Sequence, residues 1–272
     1  MTSDQKISGT IGFLGFGNMG GAVARGAVAA DLATADRILV YDPGLPADTL
    51  AKAGFSAASS VEEVFQKAGV ILLAVKPQVF KDTAGAWTEL VAGMSGRIVI
   101  SVMAGIRVEQ LRATFPDFVS VRVMPNLGLS VGEGATALAT DDVAEESLRL
   151  VETIFNSCGT TVRVSEGQMD AVTAVSGSGP MYLFEFVGAM TDAGVKAGLA
   201  REVAYALAVQ TAKGSLKLLE TSTDTPDVWT KRVCSPGGTT LAALGVLQAE
   251  GFHGVVERAV AAAKKRSEEL SG

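Results

Sequence analysis

The chain has 272 residues, of which 48% are hydrophobic and 19% charged, and its mean hydropathy is +0.32. This length allows two domains with a sizeable core, and this composition excludes intrinsic disorder. The net charge of −6, without a basic cluster, argues against nucleic acid and anionic membranes as partners. One histidine and two widely separated cysteines exclude a histidine-rich metal site and a disulfide framework, so we expect no bound metal.

The N-terminal stretch lacks the features of a targeting segment. Several glycines and Arg25 interrupt the apolar residues that follow Lys6, which argues against a signal peptide. No uncharged apolar run reaches the roughly 18 residues that are needed to span a bilayer. These features predict a soluble, cytoplasmic protein.

The first part of the chain alternates strand and helix patterns. Apolar runs predict strands at Thr10–Leu14 and 37–41, separated by a small-residue helix at 19–30, and Ser60 is a candidate N-cap for a helix at 60–68. Further strands are predicted at 70–75, 97–103, 118–124, 134–138 and 162–164. The first two of these are apolar on both faces, as is typical of central parallel strands. The alternation predicts an α/β domain with a doubly wound sheet over residues 1–165.

The second part, residues 166–272, contains no convincing alternating strand. Helix-length stretches occur instead, separated by Gly and Pro clusters, at 180–197, 201–219, 240–249 and 253–270. Their apolar faces are too broad to be covered by a lone bundle of this size. We therefore predict an all-helical second domain that packs against another copy of the chain.

A glycine motif, Gly15-Phe16-Gly17-Asn18-Met19-Gly20, follows the first strand and opens the first helix. The first glycine permits a tight turn, the second lets the backbone approach a pyrophosphate, and the third allows close packing of helix on strand. The second strand ends in an acid, Asp42, about 20 residues further on, where the adenine ribose is held in dinucleotide-binding domains. The motif in this context predicts dinucleotide binding at the helix N-terminus.

Two other segments have the composition of ligand-binding turns. Lys76 and Pro77 follow a predicted central strand, at the sheet edge where ligands of open α/β sheets lie, although a solvated lysine is an equally good interpretation from position alone. Residues 235–240 (SPGGTT) precede a helix and offer a row of N–H groups and hydroxyls suited to an anion. A simple N-cap with a Pro-Gly turn is the alternative for that segment.

Three segments of the second domain identify a family when taken with the glycine motif. They are 170–180 (DAVTAVSGSGP), 192–199 (DAGVKAGL) and 235–240 (SPGGTT), the last followed by Gly251-Phe252. With them the sequence resembles the Δ1-pyrroline-5-carboxylate reductases from Ile11 to Leu270. The resemblance implies a Rossmann-type domain and an all-helical dimerisation domain, assembled as dimers or rings of dimers such as a homodecamer. It implies NAD(P)H-dependent reduction of Δ1-pyrroline-5-carboxylate to L-proline, the final step of proline biosynthesis.

The resemblance also assigns roles to individual residues. It implies cofactor contacts, first around the pyrophosphate and then toward the nicotinamide, from Leu14, Gly15, Phe16, Gly17, Asn18, Met19, Ala74, Val75, Lys76, Pro77, Val102, Met103 and Ala104. It implies substrate binding by Glu166, Gly238, Thr239 and Thr240. We expect the Thr240 hydroxyl to hydrogen-bond the ring nitrogen, as the catalytic group, and the backbone N–H groups of residues 238–240 to hold the carboxylate.

Four positions depart from the family pattern. Leu127-Gly128 stands where Thr-Pro is usual, Arg232 where an amide is frequent, Cys234 where Thr or Ser is common, and Ala200 where proline is usual. The first two put local cofactor contacts in question. The anion-binding turn is unaffected.

Asp42 favours NADH over NADPH, because its carboxylate accepts hydrogen bonds from ribose hydroxyls and repels a 2′-phosphate.

Two alternative functions stay open from sequence alone. One is a two-domain dehydrogenase of hydroxy acids, which would place a catalytic lysine after the Gly-Gly turn where this chain has threonines. The other is a dinucleotide-binding regulatory protein without catalysis, which would have no need for Glu166, Thr239 and Thr240.

Overall fold

The structure is a computed structural model that describes residue 7 and residues 9–271. Each predicted strand and helix is present with slightly shifted ends, and Ser60 is the N-cap that accepts the Glu63 N–H. The α/β part consists of β1 Thr10–Leu14, α1 Asn18–Ala29, β2 Ile38–Tyr41, α2 Ala47–Lys52, β3 Ser56–Ala57, α3 Val61–Lys67, β4 Ala68–Leu73, α4 Pro77–Leu90, β5 Ile98–Ser101, α5 Val108–Thr114, β6 Val119–Met124, β7 Gly134–Ala139, α6 Glu145–Asn156 and β8 Gly159–Val164.

The strands form one eight-stranded sheet in the order β3-β2-β1-β4-β5-β6-β7-β8. The jump from β1 to β4 reverses the direction in which the sheet grows, so the predicted doubly wound α/β fold is confirmed. Apolar side chains of the central strands alternate between two buried layers. Phe13, Leu72 and Val121 belong to one layer, and Leu14 and Leu73 to the other.

The sheet differs from a fully parallel one at β6 and β7, which pair antiparallel, whereas β7 and β8 pair parallel. The connection between β6 and β7 holds only a short 3-10 turn, Leu127–Val131, and a left-handed Gly132. A parallel crossover needs about a dozen residues or more, so this shorter connection turns the chain back on itself. The β7–β8 connection contains α6 and is long enough for a parallel crossover.

The helical part follows a 3-10 turn at Glu166–Gln168. It consists of α7 Met169–Val172, a π-turn at Thr173–Gly177, α8 Gly179–Lys196, α9 Arg201–Thr221, α10 Pro226–Val233, α11 Thr239–Ala249 and α12 Phe252–Ser271. The helices α2, α4, α5, α6, α7 and α10 have no counterpart among the helices predicted from the sequence. None of the helices in the described part of the chain has the length and apolar character required to cross a membrane.

Internal contacts divide the described chain into two compact units. The first contains residues up to 178 together with 263–271, and the second contains 179–262. The α12 helix therefore contributes residues to both units. The division after residue 165 stays a prediction.

Candidate active site

The loop between β1 and α1 lies at the carboxyl edge of the sheet, where β1 and β4 are neighbours. Gly15 has a φ of +89°, and a Cβ there would lie 2.6 Å from the carbonyl oxygen of Ala74, just beyond β4. A Cβ at Gly20 would lie 2.5 Å from the Gly15 carbonyl oxygen. Only glycine fits at these two positions, because the loop packs directly on the backbone of its neighbours.

The outer side of this loop is open. Gly17 and Asn18 are exposed, and a Cβ at Gly17 would meet no atom within 4 Å. Gly17 is the N-cap of the 12-residue helix α1, whose first N–H groups have no partner within the helix. An open glycine backbone in front of a helix N-terminus fits the pyrophosphate of a dinucleotide.

Asp42 fixes the glycine loop to the end of β2. Its Oδ2 accepts the Phe16 N–H at 2.7 Å, and its Oδ1 accepts the Gly44 N–H at 2.9 Å. Each carboxylate oxygen has a second lone pair, so the side chain retains the capacity to accept from ribose hydroxyls. The structure thus gives Asp42 a loop-holding contact that sequence reasoning did not foresee.

The other predicted cofactor residues lie at the ends of β4 and β5, beside the glycine loop. The Val102 N–H donates to the Leu73 carbonyl at 3.2 Å, which places residues 102–104 next to 74–77. The side chains of Leu14 and Met103 are buried in the core, so only their backbone is available to a ligand. Lys76 is exposed and is the N-cap of α4, where Pro77 is the first helical residue.

Glu166 lies in a buried ion pair. Its Oε1 is 2.5 Å from Arg122 Nη1, and the two side chains are 11% and 3% exposed. The same oxygen accepts the Val108 N–H at 3.4 Å, and the Glu166 N–H donates to Asp141. Arg122 is not among the site residues that we predicted from the sequence. The alternation in VSVRV was the available signal, since it puts Ser120 and Arg122 on one face of β6.

The SPGGTT turn belongs to the second unit and leads into the 11-residue helix α11. Gly237 has a φ of +71°, and Gly238 is the N-cap, where a Cβ would lie 2.4 Å from the Ser235 hydroxyl and 3.1 Å from the Ser235 carbonyl oxygen. The Gly238 N–H donates to the Ser235 carbonyl at 3.0 Å, so it closes the turn and is not available to a ligand. The donor that we expected at residue 238 is therefore already engaged, and substrate binding by Gly238 stays a prediction.

Thr239 and Thr240 are exposed at the first two positions of α11. Their N–H groups have no carbonyl partner within the helix, as is general for the first turn. Two N–H groups and two hydroxyls therefore remain for an anionic ligand at this helix N-terminus.

Three of the four departures from the family pattern have a local structural context, whereas nothing in the structure explains Cys234. Asn126 Oδ1 accepts the N–H groups of Gly128 and Ala135, which fixes the turn after β6 without a proline. Arg232 pairs with Asp224 and lies 4.9 Å from the Trp229 ring centroid, within its own unit. Ala200 has a φ of −63°, the value that proline would impose.

A metal site was not expected from the sequence. Within residues 7 and 9–271, no group of three or more His, Cys, Asp or Glu side chains is placed to hold an ion. Cys158 is a buried packing residue, and burial raises the pKa of its thiol.

Comparison with known proteins gives matches for both parts of the chain. Residues 166–270 match a family model described as pyrroline-5-carboxylate reductase dimerisation, and residues 10–105 match one described as NADP oxidoreductase, coenzyme F420-dependent. The pyrroline-5-carboxylate reductase of Synechocystis sp. is 38% identical over 263 residues, covering 96% of this chain and 97% of its own. The chain belongs to the pyrroline-5-carboxylate reductase family.

Other members of the pyrroline-5-carboxylate reductase family agree with this assignment. The Escherichia coli enzyme of the same name is 37% identical over 266 residues, covering 96% of this chain and 98% of its own. A crystal structure of the Plasmodium falciparum enzyme with NADP bound has a TM-score of 0.85 and 31% identity, covering 98% of this chain and all of that one. The predicted family and fold class are both confirmed.

Proposed function

We propose that this protein reduces Δ1-pyrroline-5-carboxylate to L-proline with a nicotinamide cofactor. The observation that carries the proposal is that reductases of this name match 96% of the chain, from the glycine loop through the SPGGTT turn. The residues at the edge of the sheet fit a dinucleotide, since the loop at Gly15 and Gly17 is shaped for a pyrophosphate.

The chain's own contribution is to bind and orient the substrate. When bound, the reduced nicotinamide supplies the hydride. The N–H groups of Thr239 and Thr240 bind the substrate carboxylate, and the Thr240 hydroxyl hydrogen-bonds the ring nitrogen. A protonated imine is already a strong electrophile, so fixing its geometry is the main task of these residues.

The assay that tests this function measures NADH and NADPH oxidation with Δ1-pyrroline-5-carboxylate. Hydroxy acids with the oxidised cofactors are the controls for a dehydrogenase of that class. We expect turnover only with the cyclic imine. Turnover of a hydroxy acid alone would favour the dehydrogenase alternative, and cofactor binding without any turnover would favour a regulatory protein.

We propose NADH as the preferred cofactor, on the basis of Asp42. Facing a 2′-phosphate, its carboxylate would meet like charge at a cost of ~1–4 kcal/mol before screening. The following residues, Pro43 to Pro46, offer no cation to compensate. We expect kcat/KM to be higher with NADH, and Asp42→Asn to shift the ratio toward NADPH. The asparagine keeps an acceptor for the Phe16 N–H and removes only the charge.

The comparison requires both cofactors at one ionic strength, because the repulsion is screened by salt. Asp42→Ser is the second variant, since it removes the charge and its shorter side chain draws the acceptor back from the Phe16 N–H. A wild-type ratio in favour of NADPH, unchanged in Asp42→Asn, would show that the carboxylate does not face the ribose.

We propose an obligate homodimer built on the helical unit. Among residues 179–262, only Thr191, Ala204 and Ala208 are buried, whereas large apolar side chains such as Phe184, 64% exposed, face outward. An apolar groove between α8 and the start of α12 is lined by Met181, Tyr182, Leu183, Glu185, Phe186, Ala189, Phe252, Val255, Val256 and Ala259. A face of this extent is typical of an obligate interface, which buries above roughly 2,000 Å².

Sedimentation at micromolar concentration tests the dimer. We expect no monomer in the wild-type protein, and we expect Phe186→Glu to yield a monomer with little activity. A stable, active monomer of the wild-type chain would refute the prediction. We also propose that the dimers assemble into a ring, and larger species in the same experiment would support this. We further propose a cytoplasmic location and the absence of nucleic-acid or membrane partners.

A further inference from the structure

We propose that the buried Arg122–Glu166 ion pair positions residues 102–107, a segment that begins with the expected nicotinamide contacts at 102–104. The proposal rests on the proposed function only in taking residues 102–104 as the nicotinamide contact. It gives Glu166 a positioning role in place of the direct substrate contact that the family resemblance implied. Arg122 becomes a functional residue that had no assigned role.

The ion pair contacts the residue that follows the 102–107 segment, and Arg122 lies beside the strand residue that precedes it. At the start, β5 ends at Ser101, which is the direct neighbour of Arg122 across the sheet and whose Oγ accepts the Met103 N–H at 3.3 Å. At the end, Glu166 Oε1 accepts the N–H of Val108, the first residue of α5. A segment fixed at its two ends retains little freedom, so the ligand does not have to order it on binding.

The ion pair has few other supports. Arg122 Nε and Nη2 and Glu166 Oε2 are buried and have no partner among the described residues. Each charge therefore depends on the other for its compensation, and removal of one leaves the other buried and unpaired.

A purely structural ion pair and a positioning one predict different results when both charges are removed. Replacing a buried pair by two apolar residues of similar volume commonly restores stability. The double variant Arg122→Met/Glu166→Met is therefore expected to fold with a Tm near that of the wild type, whereas Arg122→Met alone is expected to unfold at a much lower temperature. The positioning contacts with Val108 remain lost in the double variant.

The test measures the affinity of the folded double variant for two ligands by calorimetry, without substrate. NADH contains the nicotinamide, and ADP-ribose lacks it; NADPH and 2′-phospho-ADP-ribose form a second pair of probes. We expect the Kd for the complete cofactor to rise about tenfold and the Kd for the fragment to change by less than about twofold. Arg149→Met is the matched control, because Arg149 lies on α6 and pairs only at the surface, with Glu145, and it should change neither Kd.

Three outcomes would overturn the proposal. The first is an unchanged Kd for the complete cofactor in the folded double variant, which would mean a structural pair only. The second is an equal rise for cofactor and fragment, which would mean general loosening of the domain. The third is a Glu166→Gln variant in which the KM for Δ1-pyrroline-5-carboxylate rises while both Kd values stay constant. That result is expected if Glu166 binds the substrate directly. Because binding is measured without substrate, failure of the proposed reaction leaves the first two readouts valid.

Discussion

Replacing Gly15 by alanine is expected to abolish measurable cofactor binding and to destabilise the fold by about 2–4 kcal/mol. The φ of +89° disfavours any residue with a Cβ, and the added methyl would lie 2.6 Å from the carbonyl oxygen of Ala74. That oxygen belongs to the backbone at the end of a central strand, so it has little freedom to move. The loop would have to shift instead, and the first N–H groups of α1 would shift with it. Calorimetric unfolding and NADH titration measure the two effects.

Gly17→Ala is the matched control for this prediction. Gly17 has a φ of −70°, and its new methyl would meet no protein atom within 4 Å, so we expect the Tm to stay unchanged. Cofactor affinity should still fall by about tenfold or more, because the methyl would fill space that the pyrophosphate needs. Wild-type affinity in both variants would show that the glycine loop does not hold the dinucleotide.

Thr240→Val is expected to raise the free energy of the transition state by about 2–3 kcal/mol, because a hydrogen bond to the reacting nitrogen is lost. This corresponds to a fall in kcat/KM of roughly 30- to 150-fold. The side chains are nearly isosteric, and Thr240 is exposed in the unit that contains it, so the Tm should barely change. Steady-state kinetics with saturating cofactor measures the loss.

Thr239→Val provides the comparison within the same turn. Thr239 contributes its N–H group, which valine retains, so we expect a much smaller loss of kcat/KM. Similar losses in the two variants would mean that the hydroxyls act together on the carboxylate. Unchanged kinetics in a folded Thr240→Val protein would remove this residue from the mechanism.

The sequence predicted the position and the tight turn of the glycine loop well, because the constraints on this loop are local. The spacing of Gly15, Gly17 and Gly20 directly after an apolar strand depends only on neighbours in the chain, and Asp42 follows from the end of the next strand. The contact between Asp42 and the Phe16 N–H joins residues 26 apart. No pattern in either segment encodes it, so only the folded chain reveals that this carboxylate also holds the loop.

Longer-range features were correspondingly harder to predict. The resemblance singled out Glu166, but its partner Arg122 is 44 residues away, and the alternation of VSVRV indicates only which face it occupies. The antiparallel β6–β7 pair depends on the length of a connection whose turn, at Leu127–Val131, carries no strong signal. The occupied N–H of Gly238 likewise depends on the conformation of the turn rather than on its composition.

The most direct test of the central claim is the mass of proline formed from NADH that carries deuterium at nicotinamide C4. With deuterium at either C4 position in turn, one of the two labelled cofactors should give proline about 1 Da heavier, with the label on the ring carbon that was part of the imine. Unlabelled proline from both cofactors, or no proline at all from a dimeric protein that binds NADH, would contradict the assignment of this chain as a pyrroline-5-carboxylate reductase.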